Sequence, residues 1–575
     1  MTDSLKANNL VLNMAQPRAE LEKTAIAQML IEEFGIRARP FQLELIQEMV
    51  FRDAHTLMVQ KTGNGKSTVP LGSLLVKGGI GVTIVPLLAI GTGQAAAAVA
   101  ACTSFEARCW DDLGEVQRRL LLERLEAVKD RDSLCLALFI SPQSLDGKEN
   151  KLRIALKGLF ERGAVSTVAI DEMHRVPLDA PFFRREFGRL RANLLEFMAL
   201  SQKKVAFVAM TATFTPDLLE EFKAITGTVF DFVQWGDVSR RNIALHLTFA
   251  HRTVLPLKNF VNEQRKDGGK VVLYSNHSSR AKKNLLEAVE KVLPVGEDVA
   301  TVCGDTAKIM KAYYIRGWSA RLEEEEPRSL RCLNLTVLVA TGAANCGIDS
   351  RDCSGVGREG PPPSLIDVAQ ELGRVRAQAE GNFQYLIVLN VASWASLILR
   401  IEKTENQAER KRQLSSLLVV MELLVLPQGC IHVALETAFS ASGQPAAADP
   451  EVCGGQCWYC KPALSQGGGG ALATKVRSAL TRCFSVNGSV SSSGVQDYLY
   501  ASRALIWPGV KRVTTQHASR LLLQLIASEI LAFTARRPDK KAKHMGSVDL
   551  NYNFDNYEDA ARWGLFCDST QLRDA

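Results

Sequence analysis

Short apolar runs alternate with charged helical stretches along most of this 575-residue chain, and that alternation constrains the fold more than any other feature. One series of apolar runs has the composition of buried strands, at 55–60, 82–86, 136–140, 166–170 and 204–210. A second series follows at 270–274, 335–340 and 384–389. Strands that alternate with helices form parallel sheets covered by helices. The pattern therefore predicts an α/β protein with two tandem parallel-sheet domains that meet near residues 235–242.

The first of these strands runs into a turn bracketed by glycines. Residues 57–68 read Leu-Met-Val-Gln-Lys-Thr-Gly-Asn-Gly-Lys-Ser-Thr. Gly63 and Gly65 allow backbone N–H groups to point inward at phosphate oxygens. Lys66 would reach the β- and γ-phosphates of a nucleotide, and Ser67 would place its hydroxyl on Mg²⁺. The residues expected to cradle a nucleoside triphosphate are Thr62, Gly63, Asn64, Gly65, Lys66, Ser67 and Thr68.

A pair of carboxylates follows a later strand, and it helps to decide whether the glycine-bracketed turn binds phosphate or is a chance pattern. Because Gln60 replaces the usual first glycine of the pattern, the turn could be a glycine-rich loop with a chance Lys-Ser pair. However, 168–170 runs directly into Asp171-Glu172-Met173-His174. Asp171 would hold Mg²⁺, and Glu172 would orient and deprotonate the attacking water. Alone, such a pair commonly marks a helix N-terminus, but a spacing of about 100 residues from the phosphate loop favours function.

Further motifs, in the correct order over residues 30–465, resemble those of the RecQ group of superfamily-two helicases. Arg39 and Gln42 stand in a stretch similar to the family's adenine-reading motif, and 211–213 (Thr-Ala-Thr) matches its coupling motif. Asn276 closes a stretch similar to motif four. The other matching stretches are 83–89, 140–143, 339–341 with 347–349, and 370–374.

The resemblance implies an ATP-dependent DNA helicase with two RecA-like domains, moving 3′-to-5′ and hydrolysing ATP with Mg²⁺. The implied catalytic residues are Lys66, Asp171, Glu172 and Arg374. Outside the phosphate loop, the implied nucleotide ligands are Arg39, Gln42, Asp349 and Gln370. The residues implied to couple hydrolysis to nucleic-acid binding are His174, Thr211 and Thr213. The implied contacts to DNA are Pro86, Ser141, Phe183, Asn276 and Thr341.

Two stretches depart from the family pattern, and two alternative functions therefore stay open. Ala377 occupies the position of the second arginine of motif six, with Arg376 one residue early. Asp179 stands where the family's DNA-sensing loop carries tryptophan, and Pro181 where it carries histidine. One alternative is a nucleic-acid-binding, helicase-like protein with a weakened ATPase. The other is an ATP-driven translocase or RNA remodeller that does not separate strands.

Four cysteines cluster in sequence as C-x22-C-x3-C-x2-C, at Cys430, Cys453, Cys457 and Cys460. Four thiolates at such spacing can close a tetrahedral Zn²⁺ site, and four protein ligands leave no open position, so the zinc would be structural. The alternative is four cysteines in an apolar core. The arrangement is similar to the zinc subdomain of the RecQ group, in which a helical hairpin precedes three clustered cysteines.

The bulk properties set limits on partners and on location. A net charge of +7, from 69 basic and 62 acidic residues, permits a local basic groove without proving a nucleic-acid partner. Residues 78–105 carry no charge, but their glycines and Pro86 favour a strand and a helix over a membrane span. No signal-peptide pattern opens the chain. With the resemblance, we therefore expect DNA as a partner, both single-stranded and at duplex junctions. We also expect no membrane contact and an intracellular location, the nucleus if the source is eukaryotic.

Together these patterns predict an α/β protein with two tandem RecA-like parallel-sheet domains, a small helical zinc-binding subdomain and a mainly helical C-terminal region. The expected segments are an N-terminal tail (1–24), the ATP-binding domain (25–235), the second RecA-like domain (236–395), a helical hairpin with the zinc site (396–465), and a linker with a possible winged-helix-like region (466–575).

Overall fold

The computed structural model describes most of the chain up to residue 460 and parts of the remainder. The described residues are 2–86, 88–147, 149–181, 184–236, 240–250, 252–266, 268–278, 281–294, 297–302, 335–342, 353–375, 383–427, 429–441, 453–460, 476, 489–491, 495–496, 499, 515–527, 531–536 and 547–552. The chain divides into two compact units, Met1–Val238 with Phe439–Gly443 and Ser239–Ala438 with Gln444–Ala575. Each unit has its own parallel sheet.

The first unit is built on a seven-stranded sheet in which all paired strands run parallel. Its strands are β1 (His55–Val59), β2 (Ile80–Ile84), β3 (Glu106–Cys109), β4 (Leu136–Ile140), β5 (Val165–Ile170), β6 (Ala206–Thr211) and β7 (Phe232–Trp235). Their order across the sheet is β3-β4-β2-β5-β6-β1-β7. Strands β2, β4, β5 and β6 are buried along their whole length, as expected for a parallel sheet covered on both faces.

Ten helices accompany this sheet among the described residues. They are α1 (Thr2–Phe34), α2 (Pro40–Phe51), α3 (Thr68–Lys77), α4 (Leu88–Ala101), α5 (Glu115–Ala127), α6 (Lys151–Glu161), α7 (Arg175–Asp179), α8 (Arg185–Gly188), α9 (Leu190–Asn193) and α10 (Pro216–Thr226). Side-chain caps fix several of the ends. Asn150 accepts a hydrogen bond from the backbone N–H of Arg153 at 3.0 Å and so starts α6. Helix α10 is followed by Gly227, whose φ of 69° lies in the left-handed region that favours glycine.

The second unit contains a six-stranded sheet, again with all paired strands parallel. Its strands are β8 (Ala244–Phe249), β9 (Lys270–Ser275), β10 (Asp298–Val302), β11 (Leu335–Ala340), β12 (Cys353–Glu359) and β13 (Gln384–Leu389), in the order β10-β11-β9-β12-β13-β8. A π-helical turn spans Ala281–Leu286, and the described helices are α11 (Val254–Arg265), α12 (Glu287–Glu290), α13 (Leu365–Leu372), α14 (Val391–Ile401), α15 (Gln407–Val425) and α16 (Ile431–Ala438). The prediction of two α/β parallel-sheet domains is confirmed.

Strand β12 was missed by the sequence analysis, although it lies in the middle of the second sheet. Its sequence, Cys-Ser-Gly-Val-Gly-Arg-Glu, lacks the apolar run of a buried strand. A β-carbon at Gly357 would lie 2.7 Å from Leu273 and 2.9 Å from Leu257, and one at Gly355 would lie 2.9 Å from Phe260. The glycines therefore let α11 pack directly on the backbone of β12, so close approach replaces apolar side chains here.

The C-terminal region combines a helix with a small antiparallel sheet. Helix α17 (Thr515–Ala527) packs on the end of α15, where Gln524 Nε2 donates to the carbonyl of Val425 at 3.1 Å. The strands β14 (Ser489–Ser491), β15 (Leu531–Arg536) and β16 (Ser547–Tyr552) pair in the order β14-β16-β15. The sequence analysis predicted a mainly helical C-terminal region and did not predict these strands. Among the residues that the structure describes, no helix is both long and apolar enough to cross a membrane.

A buried ion pair joins β12 to α13 inside the second unit. Arg358 and Glu371 are 3% and 0% exposed, and Arg358 Nη1 donates to Glu371 Oε1. The hydroxyl of Tyr385 donates to the other carboxylate oxygen at 2.8 Å. Burial raises the pKa of Glu371 to about 7, although the charge of Arg358 opposes that shift. Ionising Glu371 in this buried position therefore costs free energy. The hydrogen bonds from Arg358 and Tyr385 fix the position of its side chain.

We expect the neutral variant Glu371→Gln to change how the free energy of unfolding depends on pH. The unfolded chain releases this proton near pH 4.5, whereas the folded state holds it up to about pH 7. The stability that Glu371 contributes is therefore fully present below about pH 4.5 and is lost as the pH rises through about 7. Urea unfolding across that window should show the wild type losing stability relative to Glu371→Gln. Parallel profiles for the two proteins would contradict the assignment.

Candidate active site

The glycine-bracketed turn lies between β1 and α3, at the carboxyl end of β1, which pairs with β6 and β7. Gly63 and Gly65 have φ angles of 89° and 77°, in the left-handed region that favours glycine. The N–H of Asn64 bonds to the carbonyl of Lys61 at 3.2 Å, and α3 begins at Thr68. The chain therefore has the strand, turn and helix of a phosphate-binding loop, with the positive end of the α3 dipole at the turn.

The residues that the resemblance assigned to base recognition are attached to this loop. Gln42 Nε2 donates to the carbonyl of Gly65 at 2.8 Å, and Gln42 Oε1 accepts from the backbone N–H of Arg39 at 2.8 Å. Arg39 Nη1 donates to Asn64 Oδ1 at 3.2 Å. A β-carbon at Gly65 would lie only 2.7 Å from Gln42 Nε2. The start of α2 and the loop thus form one hydrogen-bonded group, for which Gly65 leaves the space.

Gln60, which departs from the usual pattern, has a structural explanation. Its side chain is buried against Gly236, where a β-carbon would lie 2.2 Å from Gln60 Nε2. Its backbone carbonyl accepts a hydrogen bond from Lys66 Nζ at 3.0 Å. Gln60 therefore occupies space that a glycine at 236 provides, and it anchors the lysine through a main-chain atom that any residue would supply.

The carboxylate pair follows β5, two strands away from β1. Asp171 is buried; its Oδ1 accepts from the N–H of Glu172 at 2.9 Å, and its Oδ2 accepts from Gln94 Nε2 at 2.6 Å. Burial raises the pKa of Asp171 to about 6, the charge of Glu172 adds to the rise, and Lys66 opposes it. Asp171 and Lys66 are therefore close enough to interact electrostatically. A bound cation would relieve the cost of this buried negative charge.

The donor set at the pair fits a hard divalent cation. Buried side-chain oxygens without a hydrogen-bond partner among the described residues include Gln94 Oε1 and Glu172 Oε2. Carboxylate, amide and hydroxyl oxygens are the ligands and water-holding groups that Mg²⁺ prefers. Asp171 and Ser67 are the residues that would hold it.

Glu172 adopts a backbone conformation that favours a role in the site. Its φ is 49°, one of two positive values found for non-glycine residues among the described residues. Such a conformation costs on the order of 1–3 kcal/mol for a side chain of this kind. Glu172 Oε2 lies 3.4 Å from His174 Nδ1. The unusual backbone conformation and the nearby histidine thus occur at the same residue of the carboxylate pair.

The three residues implied to couple hydrolysis to nucleic-acid binding are in contact. His174 Nδ1 lies 2.8 Å from Thr211 Oγ1, and Thr211 Oγ1 donates to the carbonyl of Thr213 and accepts from its N–H, both at 3.2 Å. Because the Thr211 hydroxyl has a single proton, His174 Nδ1 is then the donor. Burial, with the charges of Arg175 and Lys66, holds the pKa of His174 well below its usual value. The histidine is therefore neutral at neutral pH.

Two of the three residues of the first unit that were implied to contact DNA are among the described residues. The carbonyl of Pro86 accepts a hydrogen bond from Arg184. Ser141 is held by Asp111, which accepts from its N–H at 2.7 Å and from its hydroxyl at 2.9 Å. Phe183 lies outside the described residues. Both described residues thus sit in ordered turns at the carboxyl edge of the sheet.

Asp179, in the position of the family's tryptophan, forms an ion pair with Arg175 at 2.8 Å. The carboxylate is almost fully buried, and burial raises its pKa while Arg175 and Arg184 lower it. The segment after His174 is therefore organised by charge where the family uses an aromatic ring.

In the second unit the implied site residues lie around α13 and the turn after β9. Gln370 and Arg374 are each 7% exposed, on α13 and just beyond it. Asn276 follows β9 and donates to the carbonyl of Pro361 at 2.8 Å. The N–H of Thr341, after β11, bonds to the carbonyl of Val302 at 3.1 Å. Asp349, Arg376 and Ala377 lie outside the described residues.

The four cysteines of the sequence cluster come together in the second unit. Their sulfur atoms all lie within 4.8 Å of one another, with Cys430 to Cys457 at 3.9 Å and Cys453 to Cys457 at 3.8 Å. Tetrahedral zinc with Zn–S bonds of about 2.3 Å requires sulfur atoms about 3.8 Å apart. Burial raises the pKa of Cys430 to about 11, so a nearby cation would be needed to keep that sulfur as a thiolate. The residues therefore fit zinc.

The cysteine segment also contacts the edge of the second sheet. Strand β8 is the last strand on one side of that sheet, and the N–H of Leu245 within it bonds to the carbonyl of Gln456 at 2.6 Å. Gln456 lies between Cys453 and Cys457. The segment thus supplies an acceptor to the outward-facing backbone of an edge strand.

Several side chains that organise the site were missed by the sequence analysis. Gln94 holds Asp171, Asp111 holds Ser141, and Arg184 holds the carbonyl of Pro86. Gln94 stands in an otherwise small and apolar helical segment, so an isolated amide in such a helix was a usable signal. Asp111 lies in a short 3₁₀ turn, Trp110–Asp112, and Arg184 directly precedes α8. Neither has a local sequence pattern that indicates its partner.

Comparisons with known proteins agree with the resemblance. No family model matches the chain. The ATP-dependent DNA helicase Q4 of Mus musculus is 25% identical over 353 residues, which are 60% of this chain and 28% of that protein. This chain thus spans less than a third of that relative's length. The similarity confirms the resemblance to RecQ-type helicases that the motifs indicated.

Solved helicase structures share the architecture. The DEAD-box helicase Mss116 bound to ssRNA and UDP-BeF has a TM-score of 0.50 at 12% identity, over 75% of this chain and 88% of that one. The DUF1998 helicase MrfA bound to DNA and AMPPNP has a TM-score of 0.50 at 15% identity, over 77% of this chain and 60% of that one. At these identities the likeness concerns the fold, and the chain has a helicase-like fold.

Proposed function

We propose that this protein is an ATP-dependent DNA helicase of the RecQ type, which couples ATP hydrolysis to 3′-to-5′ movement and strand separation. The observation that carries the proposal lies in the first unit. The loop with Lys66, the pair Asp171–Glu172 and the contact between His174 and Thr211 all occur at the carboxyl edge of one parallel sheet. Ligands of open α/β sheets bind at that edge. The similarity to helicase Q4 of Mus musculus supports the same assignment.

The residues of the first unit would divide the work of hydrolysis. Lys66 and the backbone N–H groups of the loop would bind the phosphates, and Glu172 would take the proton of the attacking water. Ser67 and Asp171 would hold Mg²⁺, which when bound neutralises charge on the phosphates. Gln94 would keep Asp171 in position through its amide. The strained backbone of Glu172 would fix the base before the nucleotide arrives.

The remaining roles follow from the resemblance. Arg39 and Gln42 would recognise the base, and Asp349, Gln370 and Arg374 of the second unit would contact the nucleotide. A movement of Glu172 would shift the neutral His174, and His174 would in turn shift Thr211 and Thr213. Contacts to the DNA backbone would come from Pro86, Ser141, Phe183, Asn276 and Thr341. Such contacts are largely independent of sequence, so affinity should fall steeply with salt.

A second candidate function is a nucleic-acid-binding protein with a weakened ATPase. The observation in its favour is Asp179, which is paired with Arg175 and buried where the family places a stacking side chain. Stacking on an aromatic ring is worth about 1–3 kcal/mol per base, and an ion pair cannot replace it. Stimulation of hydrolysis by DNA would then be small.

We expect Lys66→Ala to lower the rate of DNA-stimulated ATP hydrolysis by about 100-fold or more, because it removes a preorganised positive charge from the phosphates. Lys61→Ala is the matched control, since Lys61 is a lysine of the same loop without an assigned role, and it should keep the wild-type rate. Steady-state ATPase assays with and without single-stranded DNA measure both. Equal rates for Lys66→Ala and the wild type would contradict the proposal.

Strand separation distinguishes the candidates. A duplex with a 3′ single-stranded tail should be unwound with ATP, and one with a 5′ tail should not. DNA-stimulated hydrolysis without unwinding would favour a translocase or an RNA remodeller. Binding of DNA without stimulated hydrolysis would favour the second candidate.

We also propose that Cys430, Cys453, Cys457 and Cys460 hold one structural zinc ion. Metal analysis of the purified protein should find about one equivalent of zinc, and Cys457→Ala should retain less than about half of it. Cys353→Ala is the matched control, because Cys353 is a buried cysteine of the same unit outside the cluster. A chelator should lower the melting temperature of the wild type. Full zinc content in Cys457→Ala would contradict the site.

A further inference from the structure

Arg358 contacts two parts of the second unit that belong to different sequence motifs. One part is α13, which carries Gln370 and leads to Arg374. The other is the turn at Asn276, after β9. Arg358 lies near the end of β12, which pairs with β9 in the sheet. Its guanidinium group reaches both parts at once, and it is 3% exposed.

On one side Arg358 binds the helix. Its Nη1 donates to Glu371 Oε1, and Tyr385 holds the second oxygen of that carboxylate at 2.8 Å. Glu371 follows Gln370 directly, and its carbonyl accepts from the N–H of Arg374 at 3.0 Å. The position of Glu371 therefore sets the rotation of the segment that carries both implied nucleotide ligands.

On the other side Arg358 binds the turn. Its Nη2 donates to Asn276 Oδ1 and, at 3.4 Å, to the carbonyl of Pro361. Asn276 Nδ2 donates to the same carbonyl at 2.8 Å, and Arg400 donates to the carbonyl of Asn276. The side chain and the backbone of Asn276 are thus both held from within the unit.

The burial of this group makes its two ends dependent on each other. A guanidinium that is removed from water cannot leave its carboxyl partner without becoming an uncompensated buried charge. If α13 shifts, Glu371 takes Arg358 with it, and Arg358 then moves the acceptor that positions Asn276. A planar guanidinium with two donating nitrogens can transmit such a shift, whereas a single ammonium group cannot bind both partners in the same way.

We infer that Arg358 is a positioning residue that couples nucleotide binding at α13 to nucleic-acid binding at the Asn276 turn. The inference rests on the proposed function, because it needs both ligands to bind. It names a residue outside the motifs quoted in the sequence analysis. The nucleotide would then change the affinity for nucleic acid by the same factor as nucleic acid changes the affinity for the nucleotide.

The test measures that coupling directly. The affinity for a fluorescent single-stranded oligonucleotide is determined with and without a non-hydrolysable ATP analogue, and the reciprocal measurement is made on the analogue. The ratio of affinities in the wild type should be about fivefold or more. In the double variant Arg358→Met with Glu371→Leu, which leaves no unpaired buried charge, the ratio should fall to about one.

Two further variants separate coupling from stability. Arg265→Met with Glu297→Leu removes another ion pair of the second unit, one of whose hydrogen bonds is 2.9 Å long, and should keep the wild-type ratio. Arg358→Lys keeps the charge beside Glu371 but not the two-sided contact, so its ratio should also fall. Circular dichroism and thermal unfolding report whether each variant is folded.

The outcomes distinguish the inference from the proposed function. A wild type that binds both ligands without coupling, or an Arg358 double variant that keeps the full ratio, overturns the inference and leaves the proposed function standing. An equal loss of coupling in the Arg265 and Arg358 double variants also overturns it, because the effect would then come from lost stability. A wild type that binds no nucleotide overturns the proposed function, and the inference with it.

Discussion

Parallel pairing of β1, β5 and β6 in the first unit is the constraint on which the candidate site depends. Val59 of β1 is opposite Thr211 of β6, and Ile170 of β5 is opposite Ala209. The loops that follow the three strands therefore leave the sheet at the same edge. If β5 or β6 ran antiparallel to β1, the lysine, the carboxylates and the threonine would lie at opposite ends of the strands, and Lys66 would not affect the pKa of Asp171.

Much of the fold was predictable because the strands of a parallel sheet are apolar on both faces. The runs at 55–60, 136–140 and 204–210 correspond to β1, β4 and β6 in the structure. Strand β12 was not predictable in this way, since its glycines and its buried Arg358 and Glu359 depend on partners far along the chain. Glu359, for example, accepts hydrogen bonds from the hydroxyls of Thr253 and Ser275, both at 2.8 Å.

The site was predictable in its main residues but not in their surroundings. Motif order is a property of the sequence, so the loop, the carboxylate pair and the threonines could be identified from it. What holds them could not be, because Gln94 and Asp111 lie 77 and 30 residues from the side chains that they bind. Long-range hydrogen bonds of this kind leave no local pattern. Gln60 and Asp179 were departures from the expected pattern in the sequence, and each has specific partners in the first unit.

The hydrogen bond between Leu245 and Gln456 has a consequence for the tendency of the protein to aggregate. An edge strand with unpaired N–H groups is a template for pairing with another molecule. The cysteine segment covers part of that template on β8. If the segment came loose, the exposed strand would favour aggregation through intermolecular sheet extension. The cysteines would then protect the solubility of the chain as well as its shape.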